Sequence, residues 1–99
     1  MRQGIAYARS SKEGPAEAEL RARVVANPAD YDARVALAAR YAGEQRFREA
    51  MEELLEVVRR ARDWRDGEAR RQLLALFTLA AAEPELIAQY RRKLASALH

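Results

Sequence analysis

The sequence lacks several residue types on which whole classes of protein chemistry depend. None of the 99 residues is cysteine, which excludes disulfide bonds, thiolate metal ligands and thiol redox chemistry within this chain. The only histidine, His99, is the last residue, and the sequence contains neither a glycine-rich phosphate-binding loop nor a cluster of metal-ligating residues. We therefore predict a protein that is not an enzyme, with no catalytic residues, no cofactor and no metal site.

Long apolar runs and helix-breaking residues are also scarce. No segment approaches the about 20 consecutive apolar residues that a bilayer span needs, and the first residues do not form a secretory signal. We therefore expect a cytoplasmic protein without a membrane partner. The chain has three prolines and four glycines, and alanine supplies much of its 49% hydrophobic content. Such a composition favours helices over a sheet.

The charged residues are biased towards arginine. Sixteen arginines and two lysines accompany fifteen acidic residues, for a formal net charge of +3, so nucleic acid has to be considered as a partner. Most of the arginines have a carboxylate within one or two helical turns. This pattern is typical of exposed helix faces whose charged side chains form ion pairs with one another. Arg59, Arg60, Arg62 and Arg65 form the densest cluster, but only Trp64 could stack on a base there. Nucleic acid is therefore an unlikely partner, and weak binding to it is our third hypothesis.

The spacing of apolar residues predicts an all-α fold. Ala33, Leu37 and Tyr41 recur every four residues, and a second amphipathic pattern begins at Phe47, after a short polar turn. Two such helices on so short a connection pack antiparallel, because each must cover its apolar stripe. We predict a single domain over residues 15–99 after a flexible tail at 1–14. The predicted helices are residues 15–26, 31–42, 46–61, 67–81 and 84–97.

Capping and core residues follow from these helices. Asn27 or Asp30 is placed to cap the second helix and Asp66 the fourth, while Pro84 opens the fifth. The fourth helix carries a broad apolar stripe: Ala69, Leu73, Leu74, Leu76, Phe77 and Leu79. We expect the structural core to contain Leu37, Tyr41, Phe47, Ala50, Leu54, Val58, Leu73, Phe77, Tyr90 and Leu94.

Two features are candidate partner-binding sites. Trp64 lies in a predicted loop, where it is either a plug folded over the hairpin or an exposed binding anchor. Arg91, Arg92 and Lys93 cross the outer side of the last helix, and no acidic residue follows Glu85. Cations near a helix C-terminus interact favourably with the helix dipole, which explains part of this cluster. The alternative is an acidic patch on a protein partner.

The chain also has an internal period. A shift of 34 residues places Ala16 on Ala50 and Leu20 on Leu54, and a helix–turn–helix period of this length resembles the tetratricopeptide repeat. The period ends after residue 62, and Gln45 stands where the repeat usually has glycine. The resemblance implies one and a half repeats in a short right-handed superhelical stack, followed by a helical pair that acts as a C-terminal cap.

A more specific resemblance lies in the order of short segments. Residues 24–30 (VVANPAD), 66–70 (DGEAR) and 90–94 (YRRKL) resemble the C-terminal domain of bacterial thioredoxin-like co-chaperones, the chaperedoxins, over roughly residues 20–98. The thioredoxin domain is missing, so the chain is either a fragment or a standalone relative. The resemblance implies a protein-binding module that holds unfolded clients and docks onto a chaperonin. The alternative is a standalone scaffold or a homo-oligomer, because an incomplete first repeat leaves an apolar flank uncovered.

Overall fold

A computed structural model describes residues 16–99, and every regular element in that range is helical. This confirms the all-α prediction, and each predicted helix boundary lies within two residues of the observed one. The predicted tail at 1–14 falls outside the described residues. The helices are α1 (Glu17–Ala26), α2 (Tyr31–Gly43), α3 (Phe47–Arg60), α4 (Glu68–Leu79) and α5 (Pro84–Leu98), with a single 3-10 turn at Trp64–Asp66 between α3 and α4.

The helix α3 is the centre of the domain. It forms an antiparallel hairpin with α2 and also contacts α4 and α5, while α1 packs on the other side of α2. A helix with neighbours on several sides needs apolar residues around most of its circumference. This is why α3 supplies six buried residues: Ala50, Met51, Leu54, Leu55, Val57 and Val58. In contrast, the backbones of α4 and α5 both lie close to α3 and approach each other much less.

Nine of the ten predicted core residues are buried. The exception is Phe47, which is half-buried and packs against the edge of the core. On α4 the predicted stripe is too broad, because Leu74 and Leu79 are 42% and 66% exposed. Six apolar residues within eleven positions cover a wider arc of a helix than one neighbour can bury. The two exposed leucines therefore lie on either side of the buried face.

The predicted cap of α2 is confirmed and the predicted cap of α4 is wrong. The Asp30 carboxylate accepts a hydrogen bond of 3.1 Å from the backbone N–H of Ala33. Asp66 makes no such bond, since its backbone is left-handed (φ +58°), and Gly67 (φ +79°) directly precedes α4. A capping side chain needs an extended backbone to reach the first N–H groups of the helix. The Asp66 carbonyl instead accepts a hydrogen bond from the Arg71 guanidinium.

Candidate functional site

An apolar groove lies between α2 and α4, with Leu54 of α3 at its base. Its volume is about 170 Å³. The side chains of its α2 wall are short, so the groove is open to solvent. Leu79 stands at the rim of the α4 wall, and its 66% exposure is high for a large apolar side chain. The remaining wall residues are Ala38, Ala39 and Ala42 on α2 and Gln72, Ala75 and Leu76 on α4.

The groove continues along α2. A second depression, of about 480 Å³, shares Ala39 with the first and is lined further by Ala36, Gly43, Arg40 and Glu44. Its floor is made of small residues, and the two charged residues supply both signs of charge at its end. We call the two depressions together the α2–α4 groove. Small apolar walls of this kind admit an extended peptide segment and leave room for its side chains.

Trp64 does not reach this groove. Its half-buried ring packs edge-to-face on Tyr31, with the ring centres 6.1 Å apart, and the Arg65 guanidinium lies 4.7 Å from the centre of the Trp64 ring. Because Trp64 also packs against the core, its position resembles the predicted plug more than a free anchor. Tyr31 is the first residue of α2, so the aromatic contact of Trp64 is at the start of that helix.

The three cations of α5 have different surroundings. The Nζ atom of Lys93 lies 3.5 Å from a carboxylate oxygen of Glu52, so Lys93 has an acidic partner although no acid follows Glu85 in the sequence. The acid comes from α3 and not from the local sequence. The Arg91 guanidinium lies 5.1 Å from the centre of the Phe77 ring. The Arg92 side chain is exposed and has no hydrogen bond or ion pair with any residue in the range 16–99.

Two carboxyl groups of α3 help to hold its neighbours in place. Glu52 accepts a hydrogen bond from the Tyr90 hydroxyl, and burial, reinforced by this bond, raises the pKa of Tyr90 to about 12. Glu53 accepts a bond of 3.0 Å from Arg34 on α2, yet burial still raises the pKa of this carboxyl above its usual range. Tyr90 and Glu53, the two groups whose pKa values are raised, lie at contacts between helices, and we assign both residues structural roles.

The arginine cluster near the end of α3 is largely engaged within the protein. Arg60 pairs with Glu56 at 2.8 Å, and Arg65 pairs with Asp32 at 2.7 Å. Arg62 donates a hydrogen bond of 2.8 Å to the carbonyl of Leu98. These contacts reduce the positive charge that the cluster offers to phosphates, which weakens the nucleic-acid hypothesis.

Within residues 16–99, no group of three or more histidine, aspartate or glutamate side chains is arranged to hold a metal ion. None of the helices described is both long enough and apolar enough to cross a membrane.

Antiparallel helices stacked in chain order, with an apolar groove between successive pairs, define a helical-repeat protein. The family model for the tetratricopeptide repeat matches residues 10–99, and the chain belongs to this family. The match continues beyond residue 62, where the 34-residue period ends. Comparisons with curated proteins and with solved structures found no match.

The sequence contained a signal for the groove that the core prediction did not use. Ala36, Ala39 and Gly43 recur at i, i+3 and i+7, which makes a second stripe of small residues beside the core stripe of α2. On α4, Leu79 lies outside the arc of the residues that face α3. A stripe of small residues facing a surplus leucine on a neighbouring helix is therefore the pattern that indicates this groove.

Proposed function

We propose that the protein is a non-catalytic protein-interaction module that binds an extended apolar segment of a protein partner in the α2–α4 groove. The observation that carries this proposal is the exposed Leu79 at the rim of a groove walled by alanine residues. Covering a leucine side chain with a partner contributes about 1.5–3 kcal/mol at full burial. Family membership supports the proposal, because helical-repeat proteins use their extended concave surfaces for binding.

The resemblance to thioredoxin-like co-chaperones supports an unfolded client as the occupant of the groove. An unfolded chain presents extended apolar segments, which match a shallow groove with small walls, whereas a folded partner rarely does. The same resemblance makes a chaperonin the candidate for a second partner. This proposal places the protein in the bacterial cytoplasm.

The cations of α5 are proposed to orient an acidic surface of that second partner. Arg91 and Arg92 are exposed and contact no carboxylate among the described residues. Charges of this kind raise the association rate more than the affinity. Lys93 contributes less because it is held by Glu52, and the exposed part of Trp64 is a further contact in the proposal.

The experiment uses two exposed leucines of the same helix. A chemically unfolded carrier protein with alkylated cysteines is the probe, and its affinity is measured for the wild type and for Leu79→Gln and Leu74→Gln. We expect Leu79→Gln to raise the Kd at least about tenfold, which corresponds to 1.4 kcal/mol. Leu74→Gln is the matched control, because it makes the same change on α4 outside the groove. Equal affinities for Leu79→Gln and the wild type would contradict the proposal.

A further inference from the structure

A second groove lies between α4 and α5, on the far side of α4 from the first. Because the backbones of α4 and α5 lie closer to α3 than to each other, a depression of about 220 Å³ remains between them. Phe77 and Leu94 are buried at its floor, while Leu74 of α4 is 42% exposed on its wall. Ala95 and Leu98 complete the wall on the α5 side. We call this depression the α4–α5 groove.

The rim of the α4–α5 groove is positively charged. Arg70 and Arg91 line it, one from each helix. The Arg70 side chain has no hydrogen bond or ion pair within residues 16–99, and the Arg91 guanidinium lies over the Phe77 ring instead of beside a carboxylate. The groove therefore combines an apolar floor with two cations that lack an acidic partner.

The acidic residues nearest to the groove form no ion pair with its two arginines among residues 16–99. On α4 and α5 the carboxyl side chains are those of Glu68 and Glu85, each in the first turn of its helix, and Glu83 directly precedes α5. Arg70 is in the first turn of α4 and meets the last turn of α5 near Leu98, at the opposite end of both helices. Glu68 accepts a hydrogen bond from the Gln72 side chain, and Asp63 and Asp66 line a neighbouring depression together with Arg70. The positive charge of the rim is therefore strongest on the side of Arg91.

We propose that the α4–α5 groove docks an amphipathic helix of a protein partner, with acidic residues beside its apolar stripe. Two helices held side by side on a common support form a trough into which a third helix packs. The apolar stripe of that helix would cover Leu74 and Ala95, and its carboxylates would pair with Arg70 and Arg91. The inference assumes that the chain is a protein-interaction module, and it adds a second surface to the one proposed above.

The same observations disfavour two other occupants. A second copy of the chain docked by twofold symmetry would bring each rim against an identical positive rim, which is repulsive. A nucleic acid would satisfy the arginines but would leave the apolar floor and the exposed Leu74 uncovered.

The probe is a fluorescein-labelled synthetic helix with leucine at i, i+3, i+4 and i+7 and glutamate at the flanking positions. Fluorescence anisotropy with the full chain measures its Kd for the wild type and four variants. We expect Leu74→Gln and Arg70→Glu each to raise the Kd at least tenfold. Leu79→Gln and Arg59→Glu make the same chemical changes outside the groove, and we expect them to change the Kd less than twofold. Replacing the glutamates of the probe with lysine should weaken its binding at least tenfold.

Several other outcomes would contradict the inference, and each would point to a different explanation. Equal binding to the wild type and Leu74→Gln excludes this groove, and a loss confined to Leu79→Gln places the helix in the α2–α4 groove, which leaves the proposed function intact. If the protein binds a scrambled peptide of the same composition, or single-stranded RNA, with equal affinity, the binding is due to non-specific attraction between charges and not to a helix docked in the groove. A dimer in sedimentation equilibrium that Leu74→Gln dissociates assigns the groove to a second copy. Circular dichroism of each variant verifies its fold, and Arg70→Glu keeps the test valid if Leu74→Gln unfolds.

Discussion

The hydroxyl of Tyr90 on α5 donates a hydrogen bond to the carboxylate of Glu52 on α3, although the two residues are 38 positions apart in the chain. Tyr90 is 1% exposed and is the largest fully buried side chain of the described residues. Lys93, one turn further along α5, lies 3.5 Å from the same carboxylate. A single acid of the central helix therefore holds two residues of α5, and with them one wall of the α4–α5 groove.

We expect Tyr90→Phe to lower the free energy of unfolding at pH 7 by about 0.5–1.5 kcal/mol, because the ring stays and only the hydrogen bond is lost. The pKa of Tyr90 is raised from 10.0 to about 12, first by burial and then by the bond to Glu52. A group whose folded pKa is raised contributes its full stability below the unfolded pKa and loses that contribution as the pH rises towards the folded value. The wild type should therefore lose stability between pH 10 and about 12.

Urea unfolding at pH 7 and at several pH values in that window measures both effects. The loss of stability in the window should be smaller in Tyr90→Phe than in the wild type. Tyr31→Phe is the matched control, since it removes a tyrosine hydroxyl that contacts no carboxylate among the described residues. If Tyr31→Phe flattens the pH dependence as much as Tyr90→Phe does, the bond to Glu52 is not its cause.

Leu54→Ala tests the assignment of the core. Leu54 is 1% exposed on the central helix, and its replacement should cost about 2–5 kcal/mol through lost burial and a cavity. Leu74→Ala removes the same atoms from a position that is 42% exposed, and should cost no more than about 0.5 kcal/mol. Thermal and urea unfolding of both variants provide the comparison. Similar losses at the two positions would show that α3 is not the centre of the core.

Asp30 and Asp66 offer a test of helix capping. Asp30→Ala should lower the melting temperature, since it removes the bond to the Ala33 N–H and the pairing with Arg23. Arg23 and then the Ala33 N–H hold the pKa of Asp30 below its usual value of 3.8, so the stability that Asp30 contributes should be lost as the pH falls below that value. Asp66→Gly should leave the melting temperature unchanged or raise it, because glycine suits a left-handed backbone (φ +58°). A lower melting temperature for Asp66→Gly than for the wild type would instead support Asp66 as the cap of α4.

The local residue pattern was sufficient to predict those features that depend on a single helix. The apolar spacing of α3 and the Asp30 cap depend on residues within a few turns, and both agree with the structure. Features that local pattern does not predict arise where distant residues meet. The partner of Lys93 is 41 positions away, and its identity depends on how α5 lies against α3. Similarly, no periodicity reveals that Asp66 would be left-handed, and the two grooves exist only once α4 is placed between α2 and α5.

The turn between α2 and α3 provides the last prediction. Gln45 adopts a left-handed backbone (φ +63°), which costs about 1–2 kcal/mol for a residue with a Cβ atom. The nearby Gly43 is the last residue of α2, where a Cβ atom would meet no atom within 4 Å. The glycine is thus two positions away from the residue whose backbone favours it.

Moving the glycine should stabilise the protein. Gly43→Ala should add about 0.4–1 kcal/mol, because alanine favours the helix and restricts the unfolded chain. Gln45→Gly relieves the left-handed strain, and the greater freedom of the unfolded chain offsets part of that gain, so its net effect should be between zero and about 1 kcal/mol. Gln45→Val is the control, because a β-branched residue tolerates this backbone least and should destabilise the protein. Urea unfolding of the three single variants and of the double variant Gly43→Ala, Gln45→Gly measures these differences. If Gln45→Gly is less stable than the wild type, the Gln45 side chain makes a compensating contribution in this turn that outweighs the strain of its backbone.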